Sequence, residues 1–113
     1  MTNQELIIKI NALESLLNAQ LPVKATYALR KNRERLLKEY FDYEAVLKDL
    51  EKRYPDKKST EYGKEVRELL NIEIKPLDFY KIPEQVILEA DLNLSLVQLT
   101  ALDFMLDTEV TDG

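Results

Sequence analysis

From Val23 to Tyr54 the chain runs for about thirty residues without a proline or glycine. Its apolar side chains fall at Leu29, Leu36, Tyr40, Tyr43, Leu47, Leu50 and Tyr54, at steps of seven, four, three, four, three and four. That spacing puts each of these side chains on one stripe of a helix, in the manner of a coiled-coil seam. A strand needs a period of two, so a single long helix over 23–54 is the reading the stripe supports. Such a helix extends roughly 45 Å. An apolar stripe of that length must be covered, by the rest of the chain or by a partner. Some of it is expected to remain uncovered in a monomer, which predicts a homo-oligomer.

The other elements follow from caps and breakers. Thr2 and Glu5 have the spacing of a capping box. Leu6, Ile10, Leu13 and Leu17 then continue at helical steps, giving a first helix over 3–19. Leu21-Pro22 ends it, and Pro22 suits the opening of the next helix. The first helix is expected to pack antiparallel on the proximal half of the long one. Ser59 or Thr60 caps a third helix over 60–70. Ile72, Ile74, Leu77 and Phe79 stand in near alternation, which predicts a short strand over 72–79 despite Pro76. The segment from Val86 to Leu94 fits a returning strand at 86–89 or a short helix opened by Pro83, with the strand preferred. Ser95 and Gln98 form a second capping-box signature before an apolar helix over 96–106. The expected fold is therefore mainly α with a small β element: one domain over 1–113, an unequal helical hairpin around one long central helix. The β element and the C-terminal helix are expected to cover the distal half of that helix.

Composition narrows the chemistry. With two glycines and four prolines in 113 residues, a turn-rich β-sandwich is disfavoured. The absence of cysteine and histidine removes disulfides, thiolate chemistry, the usual neutral-pH base and the commonest transition-metal ligand. No metal and no cofactor is expected. No apolar run approaches the roughly 20 residues that span a bilayer, and the first residues lack the pattern of a signal peptide. A cytoplasmic protein with no membrane partner is the expectation.

The net charge of −5 is unevenly distributed. Between Lys24 and Lys38 six basic residues face one acid, a local +5, whereas from Leu77 onward eight acids face one lysine, a local −7. These two parts should attract each other. The candidate interaction surface comprises Lys24, Tyr27, Arg30, Lys31, Arg33, Arg35 and Lys38, together with the seam tyrosines Tyr40, Tyr43 and Tyr54. Tyrosine combines a broad apolar ring with a polar tip and is enriched at interfaces, although the same rings serve equally as core. Arg33 falls on the apolar seam, where it must reach past the end of the first helix or pair with an acid. The scattered acids have neither calcium-loop spacing nor convergent ligands, no glycine-rich phosphate loop occurs, and no serine has a histidine to activate it. An enzyme is not expected.

Three features carry a resemblance. The chain opens Thr2-Asn3 with Glu5-Leu6 and closes its leucine-rich first helix on Leu21-Pro22-Val23-Lys24. Tyr27-Ala28-Leu29-Arg30-Lys31-Asn32 then leads into the long charged helix. An alternating segment follows Leu69-Leu70-Asn71, before a capped Leu94-Ser95-Leu96 helix that ends in Leu102-Asp103-Phe104-Met105. Together these resemble a family of small uncharacterised proteins, a domain of unknown function, from phages and prophages of low-GC Gram-positive bacteria. The resemblance implies a phage setting in a bacterial cytoplasm and supplies no catalytic residues. The leading expectation is a non-enzymatic phage protein that binds a protein partner through the long helix and the apolar C-terminal helix, for instance to block a host defence component. An acidic face could also mimic nucleic acid. The alternatives are a nucleic-acid-binding regulator that uses Lys24 to Lys38, and a phage structural or assembly component.

Overall fold

A computed structural model of the protein describes residues 1–90 and 93–107. Helix α1 spans Asn3–Glu14, α2 Val23–Arg53 and α3 Thr60–Leu70; a two-residue strand β1 (Ile82–Pro83) leads into α4 (Glu84–Leu88). After α5 (Leu96–Leu102) and a 3-10 turn (Asp103–Met105) comes β2 (Leu106–Asp107). The fold is mainly α with a small β element, built on one long central helix. β1 and β2 pair in parallel, Ile82 with Leu106 and Pro83 with Asp107.

The long helix is unbroken over 31 residues, and its stripe is covered by two helices laid end to end. Antiparallel α1 covers the proximal half, where Leu6, Leu13, Leu16 and Leu36 are each fully buried. Helix α3 covers the distal half, with Leu69, Tyr62, Val66 and Leu70 packed about Tyr43 and Leu50. The two short helices meet at mid-spine. There the Asn3 side-chain amide donates to the Leu69 carbonyl at 2.9 Å, and the Asn3 N–H donates to the Ile72 carbonyl at 3.1 Å. Tyr40 touches both clusters, so the core is continuous along α2.

Several expectations require correction. The distal half of α2 is covered by α3, not by the β element and the C-terminal helix. Those elements pack instead on the proximal core through Ile82, Ile87, Ala101, Leu102 and Met105. Tyr62, Val66, Leu69 and Leu70 share one face of α3, and this face suffices for the distal stripe. The first helix stops at Glu14 rather than reaching residue 19. Beyond it the chain tightens into i to i+3 bonds through Ala19, and the Ser15 hydroxyl takes the Ala12 carbonyl at 2.6 Å. A serine that bonds its own preceding turn competes with the helical ladder.

The strand expected at 72–79 is absent. That segment has no regular structure beyond one antiparallel bridge, between Glu73 and Thr2. Pro76 has no N–H to donate to a ladder. The alternation still has a cause, because Ile74, Leu77 and Phe79 lean on the core. Residues 86–89 do not form a strand either. Pro83 stands immediately before α4, Glu84 occupies its first turn, and Ile87 is buried. The final helix ends at Leu102, not 106, because Leu106 and Asp107 turn extended to pair with β1. The capping signatures hold: Glu5 N–H donates to Thr2 Oγ1, Tyr62 N–H to Ser59 Oγ, and Ser95 with Gln98 closes a reciprocal box.

Candidate interaction surfaces

The basic stretch lies on the proximal half of α2, and the segment before β1 is clasped against it. Asn32 is fully buried, and its side-chain amide acts as a strand edge toward Tyr80. Its Nδ2 donates to the Tyr80 carbonyl at 3.0 Å, and the Tyr80 N–H donates to its Oδ1 at 2.7 Å. The clasp holds the Tyr80 ring edge-on to Tyr27, with centroids 5.6 Å apart. The Arg35 guanidinium lies 4.7 Å from the Tyr80 ring centre and donates to the Asp78 carbonyl. Lys31 Nζ lies 5.7 Å from the Tyr27 ring centre. Cations over aromatic faces are held by the ring quadrupole.

Arg33 sits on the apolar side as its spacing required. It reaches the end of α1, where Nε and Nη2 both donate to Glu14 Oε1, at 3.1 and 2.9 Å. Lys31 approaches Glu34 at 4.0 Å. Lys24, Arg30 and Lys38 are exposed. Tyr27, Arg30, Lys31, Arg33 and Glu34, with Leu17 and Leu37, line a depression of ≈ 550 Å³. The expected attraction toward the acidic C-terminal part takes another form here: Arg35 binds a backbone carbonyl of that part, and Arg33 and Lys31 find acids on α1 and α2.

The structure separates the seam tyrosines from this surface. Tyr43 is buried, Tyr40 and Tyr54 are half-buried, and all three pack in the cluster shared with α3. They are core rather than an exposed docking face. Burial first, and then the neighbouring Tyr40 and Tyr62, push the Tyr43 hydroxyl above the ordinary tyrosine range.

A second surface emerges between α1 and α5. Helix α5 reads Leu-Val-Gln-Leu-Thr-Ala-Leu and contains no charge. Ala101 and Leu102 turn inward, while Leu96 and Val97 stand 79 % and 67 % exposed. A short helix that is apolar on more than one side is normally covered on more than one side. Leu96, Val97, Thr100 and Ala101 form one bank of an apolar groove of ≈ 520 Å³; Ile8, Lys9 and Ala12 form the other, and Asp103 and Phe104 close it. The groove walls are fixed. Gln98 donates to the Ser15 carbonyl at 3.0 Å, Phe104 stacks edge-on to Phe79 with centroids 5.0 Å apart, and Lys81 holds the Phe104 carbonyl at 3.0 Å.

The sequence reading singled out the basic residues but missed Asn32, Tyr80 and the groove. Asn32 had a signal: a lone amide on the buried side of α2 between Leu29 and Leu36 requires a polar partner. Ile8 and Val97 had none, since they become neighbours only through the docking of α5 on α1. Among the described residues no group of three or more acids, histidines or cysteines is placed to hold a metal, and no helix is long and apolar enough to cross a membrane. Comparisons with protein-family profiles, curated proteins and solved structures return no match.

Proposed function

We propose that this chain is a non-enzymatic interaction protein whose docking face is the α1–α5 groove. The observation that carries this reading is the exposure of Leu96 and Val97 on a charge-free helix beside a preformed apolar cleft. Removing one such side chain from water contributes roughly 1.5–3 kcal/mol, so a partner that covers both, with Ile8, gains a central anchor of the kind that dominates protein interfaces. In the phage setting that the sequence resemblance implies, the protein would act by occupying a face of a host or phage protein.

The basic depression fits a nucleic acid less well. Glu14 and Glu34 sit among its cations and would meet a phosphate backbone with like charge. Mixed, paired charge of this kind belongs to the polar rim of a protein interface.

A photo-crosslinking residue placed at Val97 tests the reading in the protein's native cells, with Lys52 at the far end of α2 as the control position. A discrete protein adduct from Val97, absent from Lys52, is the expected result. The absence of any adduct from Val97, or the same adducts from both positions, contradicts the reading.

A further inference from the structure

The groove has properties that select its occupant. Its banks carry projections as well as a recess: Ile8 on α1, 60 % exposed, and Leu96 and Val97 on α5 stand beside the cleft. A face with both knobs and hole can be its own complement about a twofold axis, because residue i then meets residue j and j meets i.

The charges select the same occupant. The groove lining contains one cation and one anion, Lys9 and Asp103. Glu5 lies one turn before Lys9 on α1, and Lys81 is fixed beside the groove by its bond to the Phe104 carbonyl. This face is therefore balanced on a chain whose net charge is −5. Self-pairing through the basic stretch of α2 would bring together a surface that keeps an excess of cations, since Lys24, Arg30 and Lys38 are exposed there while Glu14 and Glu34 pair with Arg33 and Lys31. Self-pairing through α4, with Glu84 and Glu89 at its ends, would set acid against acid. At the groove, the presence of both a cation and an anion lets a twofold pairing set opposite charges together.

We propose that the groove is filled by a second copy of this chain, an inference that rests on the groove being the docking face. In the symmetric dimer Leu96 and Val97 of each copy lodge in the groove of the other, and Lys9 of each copy faces Asp103 of the other. Oligomerisation through the central helix stripe is not needed, since α1 and α3 already cover it.

Sedimentation equilibrium of the purified full chain, from about 1 to about 500 μM, tests the proposal. The expected mass rises with concentration from 13.2 kDa toward twice that value. Val97→Asp should raise the dimer dissociation constant at least about tenfold with little change in melting temperature, because the side chain is exposed in the single copy. Lys9→Glu should weaken the dimer by opposing two acids, and Lys9→Glu with Asp103→Lys should restore it. A monomer throughout the range overturns the dimer, as does a dimer indifferent to Val97→Asp and to the charge exchange. The crosslinker at Val97 separates the two readings. A monomeric chain whose Val97 captures a protein of different mass overturns the dimer and leaves the docking face standing. A crosslink within a single chain overturns both.

Discussion

Replacing Asn32 by leucine tests the clasp that organises the proximal surface. The side chain is fully buried and makes two hydrogen bonds to the Tyr80 backbone, so leucine retains the volume and removes both bonds. Two neutral bonds contribute about 1–3 kcal/mol in net terms, and backbone groups left unpartnered cost about 1–3 kcal/mol each where water is excluded. Tyr80 is 38 % exposed, so water reaches part of its backbone, and the added apolar surface offsets some of the loss. The balance is a destabilisation of about 2–4 kcal/mol, or a fall in melting temperature of roughly 10–20 °C for a domain of this size. Urea unfolding followed by circular dichroism gives the first quantity, and hydrogen exchange at the Tyr80 amide gives the local one. Asn32→Asp retains the acceptor but sets a buried carboxylate against the Tyr80 carbonyl, and at neutral pH it should cost at least as much. A leucine variant within about 0.5 kcal/mol of the parent, with the Tyr80 amide equally protected, would refute the reasoning.

Leu36→Ala opens a cavity in the proximal cluster, where Leu36 is fully buried, and should cost about 2–5 kcal/mol in the same urea assay. Glu14 and Arg33 are both more than a third exposed, so a double-mutant cycle to alanine should return a coupling below about 1 kcal/mol that shrinks with added salt. Tyr43 binds its proton more tightly in the folded state, because burial disfavours the phenolate. Its contribution is therefore intact below the ordinary value of 10.0 and is lost as pH rises through the higher folded value. Tyr43→Phe should flatten the alkaline end of a stability–pH curve, and an unchanged curve would remove Tyr43 as its source.

The sequence disclosed the elements that local rules govern. The seam of α2 required no knowledge of its neighbours, and Thr2, Ser59 and Ser95 marked three helix starts because a cap acts within one turn. What covers each stretch of the stripe was less legible. Helix α3 and the C-terminal elements are all apolar enough to lie on α2; the short connection between Arg53 and Thr60 returns α3 at the distal end, and the splice at Asn3 and Leu69 joins it there to α1. The alternation of Ile74, Leu77 and Phe79 reported burial on one side correctly but said nothing of a neighbouring strand. The candidate surfaces divide in the same way. Arg33 showed itself by standing on an apolar side, whereas the α1–α5 groove joins residues about ninety positions apart, a separation over which no periodicity carries information.

The clasp also bears on the order in which the molecule is assembled. Helices α1 and α2 are neighbours in the chain and can associate as soon as both exist, but Tyr80 lies 48 residues beyond Asn32, and closing so long a loop is the slower event. Until it closes, the nascent hairpin carries a hydrated amide in the middle of its adhesive edge. Water must be stripped from that amide before anything greasy can settle there, and the arriving Tyr80 backbone is built to replace both lost bonds. Asn32 thus sets a desolvation cost on any apolar segment that would settle there in place of Tyr80.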